Sequence, residues 1–93
     1  MFKTNEYFNG NVKSIALDSH EGKATIGVMA KGEYEFGTSS VEIMTVISGK
    51  LTIQQPNENE WKTYKKFESF VVEKDVKFKV KCDEDTPYLC LYK

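Results

Sequence analysis

The stretch Val76–Cys82, V-K-F-K-V-K-C, alternates apolar side chains with lysine at every step. A helix turning through 3.6 residues would scatter those lysines around its surface. An extended chain places alternate residues on opposite sides and separates the two kinds completely. The stretch therefore reads as a half-buried strand, with Val76, Phe78, Val80 and Cys82 towards a core and Lys77, Lys79 and Lys81 as a solvated stripe.

Working outward from it, similar but noisier alternation marks Val12–Leu17, Ala24–Ala30, Glu33–Phe36, Glu42–Ile47, Leu51–Gln55, Phe67–Val72 and Tyr88–Tyr92. Turn-forming clusters separate them: S-H-E-G, K-G, G-T-S-S, S-G, P-N-E-N and D-E-D-T-P. Gly, Pro, Asn, Asp and Ser punctuate chains in this way because they tolerate or stabilise turn dihedrals. No stretch carries helical periodicity. About eight short antiparallel strands at close spacing predict an all-β sandwich, barrel or jelly roll, with residues 1–10 as coil. At 93 residues, without repeats or linkers, the chain fits one domain spanning residues 1–93.

Composition narrows the partners. Hydrophobic residues make up 40% and charged residues 29%, as in ordinary soluble proteins, and no apolar run approaches a membrane span. The net charge of −1 argues against nucleic acid as a partner, because polyanion binding needs clustered cations. All 13 cations are lysine. Without arginine there is no bidentate guanidinium clamp, and a phosphate would have to be held by lysine, hydroxyls or backbone N–H groups. The N-terminus lacks a signal-peptide segment, so a cytoplasmic protein is expected, with Cys82 and Cys90 as reduced thiols. Two cysteines and the single His20 make a poor zinc set, and no metal is expected.

Glu42–Lys50, E-I-M-T-V-I-S-G-K, is a core-like strand that opens on a carboxylate. Alternation gives Glu42, Met44 and Val46 one face and Ile43, Thr45 and Ile47 the other. Glu42 is then either a strand-end charge in water, the usual fate of Glu, or a carboxylate held inside a pocket.

Five blocks in order carry a resemblance that covers almost the whole chain: N-E-Y-F (Asn5–Phe8), V-K-S-I (Val12–Ile15), G-V-M-A-K-G-E-Y-E-F (Gly27–Phe36), E-I-M-T-V-I-S-G (Glu42–Gly49) and Y-L-C-L-Y (Tyr88–Tyr92). With them the chain resembles the pyrimidine/purine nucleoside phosphorylases, a family of small single-domain cupins. The resemblance implies a cupin-type β-barrel, a homodimer, and the phosphorolysis of purine and pyrimidine nucleosides to free base and α-D-ribose 1-phosphate. It implies nucleosides and inorganic phosphate as substrates and no other cofactor. Glu42 and Gly49 keep the E-x6-G spacing of the first cupin motif, in which the carboxylate points inward. The histidines that would precede it are missing, since Glu35–Thr38 reads E-F-G-T. Three positions depart from the family: Phe67 replaces a turn glycine, Glu73 a proline, and Ile43 a residue that is often acidic. A bulky residue does not readily take a positive φ, so Phe67 is expected to alter its turn.

On this reading Glu42 is the expected catalytic residue, a carboxylate that steadies oxocarbenium character at the sugar or holds its hydroxyls. Tyr34, Phe36, Tyr7, Phe8 and Tyr88 are the expected base platform, with Met44 and Thr38 beside them, although any one aromatic also reads as a core filler. Tyr34, Phe36 and Thr38 share a strand face if that strand stays regular, and Cys90 joins Tyr88 on the last strand. Thr38, Ser39 and Ser40 form the candidate phosphate nest. A cupin that binds a small molecule without catalysis is the alternative.

Overall fold

A computed structural model describes residues 1–93. The chain forms β1 (Thr4–Tyr7), β2 (Val12–Ser19), β3 (Gly22–Met29), β4 (Gly32–Gly37), β5 (Glu42–Val46), β6 (Lys50–Gln54), β7 (Lys62–Lys65), β8 (Ser69–Val72), β9 (Lys77–Cys82) and β10 (Thr86–Tyr92). Every pairing is antiparallel. The strands divide into a six-stranded sheet of order β1-β2-β3-β10-β5-β8 and a four-stranded sheet of order β4-β9-β6-β7.

The alternation of Val76–Cys82 becomes β9, with Phe78, Val80 and Cys82 buried and its lysines exposed. Side chains from both sheets meet in one core of 14 buried residues, among them Val46, Leu51, Ile53, Val72 and Val80 at 0–1% exposure. Burying a side chain of this size contributes about 1.5–3 kcal/mol, so this layer is what holds the sheets face to face. Gly49, at φ +73°, makes the β5–β6 turn that the E-x6-G spacing predicts. A Cβ there would also come within 3.2 Å of the Glu84 carboxylate.

The strand count is ten where the sequence pattern indicates eight. Residues 4–7 are strand rather than coil: β1 pairs with β2 in the register Thr4↔Ile15 to Tyr7↔Val12. β7, K-T-Y-K, pairs with β6. Both short strands lie at sheet edges and are held by backbone pairing more than by an apolar face of their own, so periodicity gives no sign of them.

The Phe67 turn keeps the left-handed backbone of a turn glycine, against the expectation from its bulk. The strand expected from Phe67 begins at Ser69, and Phe67 adopts φ +67° with its ring exposed. The turn survives because Phe67 N–H donates to the Val46 carbonyl at 2.6 Å and Lys66 Nζ sits 4.9 Å from the ring centroid. Such a conformation costs a bulky residue about 1–3 kcal/mol, which these contacts offset in part.

Candidate functional site

The two sheets enclose a cavity of about 110 Å³, and Glu42 stands in its wall. In register Glu42 lies between Tyr92 of β10 and Val72 of β8, whose side chain is fully buried. Alternation therefore turns Glu42 inward with Met44 and Val46, both buried, and the pocket reading of this residue is the one the fold adopts. The residue is half-buried. Its Oε1 accepts a hydrogen bond from the Cys90 thiol at 3.5 Å. Oε2 has no partner within the protein, and because no fully buried side-chain polar atom is left unpaired it stays accessible, on a residue that lines the cavity.

The last strand supplies the neighbours. Tyr88, Cys90 and Tyr92 alternate along β10 and all reach the cavity. Burial pushes the Tyr88 hydroxyl up to about 12, with the Ser14 hydroxyl pulling the other way. Burial, reinforced by the Glu42 charge, pushes the Cys90 thiol up to about 12. Tyr92 is raised too, mainly by burial, while its hydrogen bond with Thr25 at 3.0 Å opposes the shift. All three groups are neutral near pH 7. Burial likewise raises Glu42 above its ordinary value, and the Cys90 bond lowers it back in part. The wall thus presents a carboxylate among neutral hydroxyl and thiol groups, a setting that welcomes positive charge and repels anions.

Space for the Tyr88 ring comes from Gly27. The two residues are register partners, and a Cβ on Gly27 would lie 2.5 Å from the Tyr88 Cζ and Oη. The next partner across the sheet is Ser14, which brings its buried hydroxyl to the cavity beneath Tyr88. Opposite stand Phe36 and Phe78, stacked at 5.8 Å with 29° between their planes, and Tyr7 meets Phe36 edge-on at 6.5 Å.

Of the residues expected at the site, Glu42, Met44, Phe36, Tyr7 and Tyr88 line the cavity, with Cys90 beside them. Tyr34 does not. Its side chain is in the core, and its hydroxyl donates to the Ala30 carbonyl at 2.6 Å. Phe8 covers Tyr34 from outside, at 5.0 Å between ring centroids, and is 43% exposed. The strand face expected to carry Thr38 ends at Gly37, because the chain there turns into the β4–β5 connection. Thr38 ties that connection to the β8–β9 turn: its hydroxyl donates to the Glu73 carbonyl at 2.7 Å and accepts from Val76 N–H at 3.1 Å. Ser39 is exposed, and Ser40 lies in a separate surface depression on the far side of Tyr92. The hydroxyl cluster expected to hold phosphate is therefore outside the cavity wall. Tyr92, Ser14, Met29, Gly37 and Phe78 complete the wall without being expected there. Continuing the β10 alternation from Tyr88 reaches Tyr92; nothing local in the sequence signals Ser14 or Met29.

Two antiparallel sheets closed around a cavity with an inward carboxylate define a cupin-type barrel. The fold matches an RmlC-like cupin from Shewanella frigidimarina NCIMB 400 with a TM-score of 0.73 at 21% identity, over 96% of this chain and 80% of that one. A family model described as Pyrimidine/purine nucleoside phosphorylase matches residues 2–92. A protein of Pseudomonas aeruginosa (strain LESB58) that bears the same name is 56% identical over 93 residues, the full length of both chains. The crystal structure of a protein of unknown function from Vibrio parahaemolyticus superposes with a TM-score of 0.92 at 42% identity, over 97% of this chain and 96% of that one. The chain belongs to the pyrimidine/purine nucleoside phosphorylase family.

Proposed function

We propose that the protein is a broad-specificity nucleoside phosphorylase that converts purine and pyrimidine nucleosides and phosphate to free base and α-D-ribose 1-phosphate, in the service of cytoplasmic nucleoside salvage. The observation that carries this reading is Glu42, a half-buried carboxylate in the cavity wall that is hydrogen-bonded within the protein at Oε1 alone. In the reaction the C1–N bond breaks with its electron pair passing to the base, and a phosphate oxygen forms the new bond to C1. The proton carried by hydrogen phosphate balances the one gained by the base. As the old bond loosens, positive charge grows on the ribose, and a fixed carboxylate stabilises it more than it stabilises the ground state.

A cavity of about 110 Å³ is smaller than the several hundred Å³ of a typical small-molecule pocket. It suits the sugar ring, with the base left at the mouth against Tyr7, which is 46% exposed, and Phe36. Aromatic faces hold different bases without reading their edges, in keeping with broad specificity. The Glu42 charge repels phosphate from the depth of the cavity, so phosphate approaches the sugar from the mouth. Purified protein should release uracil from uridine and hypoxanthine from inosine, in both cases only with phosphate present. No release from any common nucleoside, together with thermal stabilisation by a nucleoside recovered intact, would favour the binding-only cupin instead.

The active species in this reading is a homodimer. The outer face of the six-stranded sheet carries Ile15, Ile26, Val28 and Val71, each 46–51% exposed, with Leu89 between them in register. Lys13 at its edge already pairs with Glu6 at 3.5 Å. A charged partner would find few counter-charges on these rows, whereas a second copy brings an equally uncharged surface and strands no charge on contact. Light scattering should give twice the chain mass at micromolar concentration; a monomer would refute this assembly.

A further inference from the structure

Cys90 is 2% exposed, and its thiol pairs with Oε1 of Glu42. A buried thiol beside a carboxylate is a poor nucleophile, because both burial and the neighbouring charge oppose the thiolate that nucleophilic chemistry needs. Its register partner on β5 is Met44, so its side chain rises next to Met44 and reaches Glu42 diagonally, one step along the strand face. The same strand places Tyr92 directly opposite Glu42, but Tyr92 Oη is engaged with Thr25 Oγ1 at 3.0 Å. Cys90 is thus the one side chain that bonds the carboxylate.

We propose that Cys90 is a positioning residue, whose S–H fixes Oε1 of Glu42 and so leaves Oε2 aimed at the ligand. The catalytic part of this inference rests on the phosphorylase reading; the contact itself does not. A thiol suits the place for two reasons. It donates to the carboxylate without carrying a charge that would cancel the one the site needs. Its sulfur also packs against Met44 in the apolar layer, where it behaves as a small hydrophobe. The other titratable groups that share the cavity with Glu42 are Tyr7 from β1 and Tyr88 and Tyr92 from β10, all of them phenols; no lysine lines it.

The test is the titration of Glu42, read by infrared difference spectroscopy of the carboxyl band against Glu42→Gln, in wild type, Cys90→Ala, Cys90→Val and Cys90→Ser. Valine fills the thiol's space and keeps the experiment informative if alanine fails to fold. Removing the donor should move the Glu42 titration to higher pH, while serine should hold it near wild type. Activity should follow: the alanine and valine variants lose about tenfold in kcat/KM on the acidic limb, the scale of a weak charge-assisted hydrogen bond, and little at alkaline pH. A loss equal at every pH, or a Glu42 titration that is the same in all four proteins, overturns the proposal. If no nucleoside is cleaved but the carboxyl band moves as expected, the phosphorylase reading falls and the positioning contact stands.

Discussion

The two sheets obey the same alternation but spend it in opposite ways. On the four-stranded sheet the inner face is apolar, with Phe36, Leu51, Ile53, Phe78 and Val80, and the outer face is charged. There Glu33 lies opposite Lys81 and Glu35 opposite Lys79 in register, an arrangement that suits a surface meeting water. On the six-stranded sheet the inner face carries Ser14, Glu42, Tyr88, Cys90 and Tyr92, while the outer face carries Ile15, Ile26, Val28 and Val71. The first sheet has the distribution expected of a soluble scaffold. The second departs from it on both sides, and the two departures are what the proposed ligand within and the proposed second copy without would use. Polar groups gathered around a cavity, and apolar groups left in water, are both costly arrangements that a structure keeps when something uses them.

The inner departure is broken most severely by Glu42→Gln. It should lower kcat about 100- to 1000-fold, the usual effect of removing one preorganised electrostatic group. Stability should respond in the other direction. The Glu42 carboxyl titrates above its ordinary 4.5 because burial disfavours its charged form. Its contribution to stability is therefore fully present below 4.5 and is lost as pH rises through the higher folded-state value. Glutamine carries no such charge, so the variant should melt at or above the wild-type temperature at neutral pH, with the gap closing in acid. Calorimetry at two pH values together with turnover on uridine checks both halves, and a variant that loses structure along with activity would mark Glu42 as scaffold.

The same contrast decides how much of the fold is legible in the residue order. β9 follows from alternation, since a half-buried strand writes its two environments directly into its residue order, whereas alternation only groups Glu42 with Met44 and Val46 and the resemblance to the cupin motif supplies its inward direction. Alternation on the six-stranded sheet is harder to use, because Ile15, Ile26 and Val28 point outward while the buried residues they alternate with include Ser14, Thr25 and Gly27. β1 and β7 leave little periodic signal because their pairing is a backbone property with little side-chain signature. Tyr34 faces inward as its strand face indicates, but its hydroxyl is already satisfied by the Ala30 carbonyl four residues earlier. Thr38 lies outside for a different reason: β4 ends at Gly37, one residue before regular alternation would bring Thr38 inward. Ser14 and Met29 reach the cavity only through the β2–β3–β10 pairing, which joins residues far apart in the chain.

The outer departure is tested by Ile26→Lys. Ile26 lies between Ile15 and Leu89 in register, and a lysine there would place like charges against each other in a two-fold assembly. The expected outcome is a monomer by light scattering, with the far-ultraviolet circular dichroism of the wild type. An unchanged mass would move the interface elsewhere. Gly27→Ala, one residue away and facing inward, should act on the barrel instead. Its new methyl group overlaps the Tyr88 ring by position, and the ring's escape is into the cavity. A loss of about 1–3 kcal/mol is expected, as for other overpacked sites, with a raised KM and the mass of the assembly unaltered.

On the charged face the expected effects are the smallest, and they differ between neighbours two residues apart. Lys79 is exposed, lies opposite Glu35 and Gln54, and has no ion pair within 4.0 Å. Lys79→Gln should therefore change stability by no more than about 0.5 kcal/mol. Lys81 points the same way, yet its Nζ sits 4.2 Å from the centroid of the half-buried Trp61 ring. Lys81→Gln should cost about 0.5–1 kcal/mol, the contribution of an exposed cation–π contact. Urea unfolding of the pair resolves the difference. Equal values would mean that Trp61 is held by the β6–β7 connection itself, and that the four-stranded sheet meets solvent as a uniform charged surface.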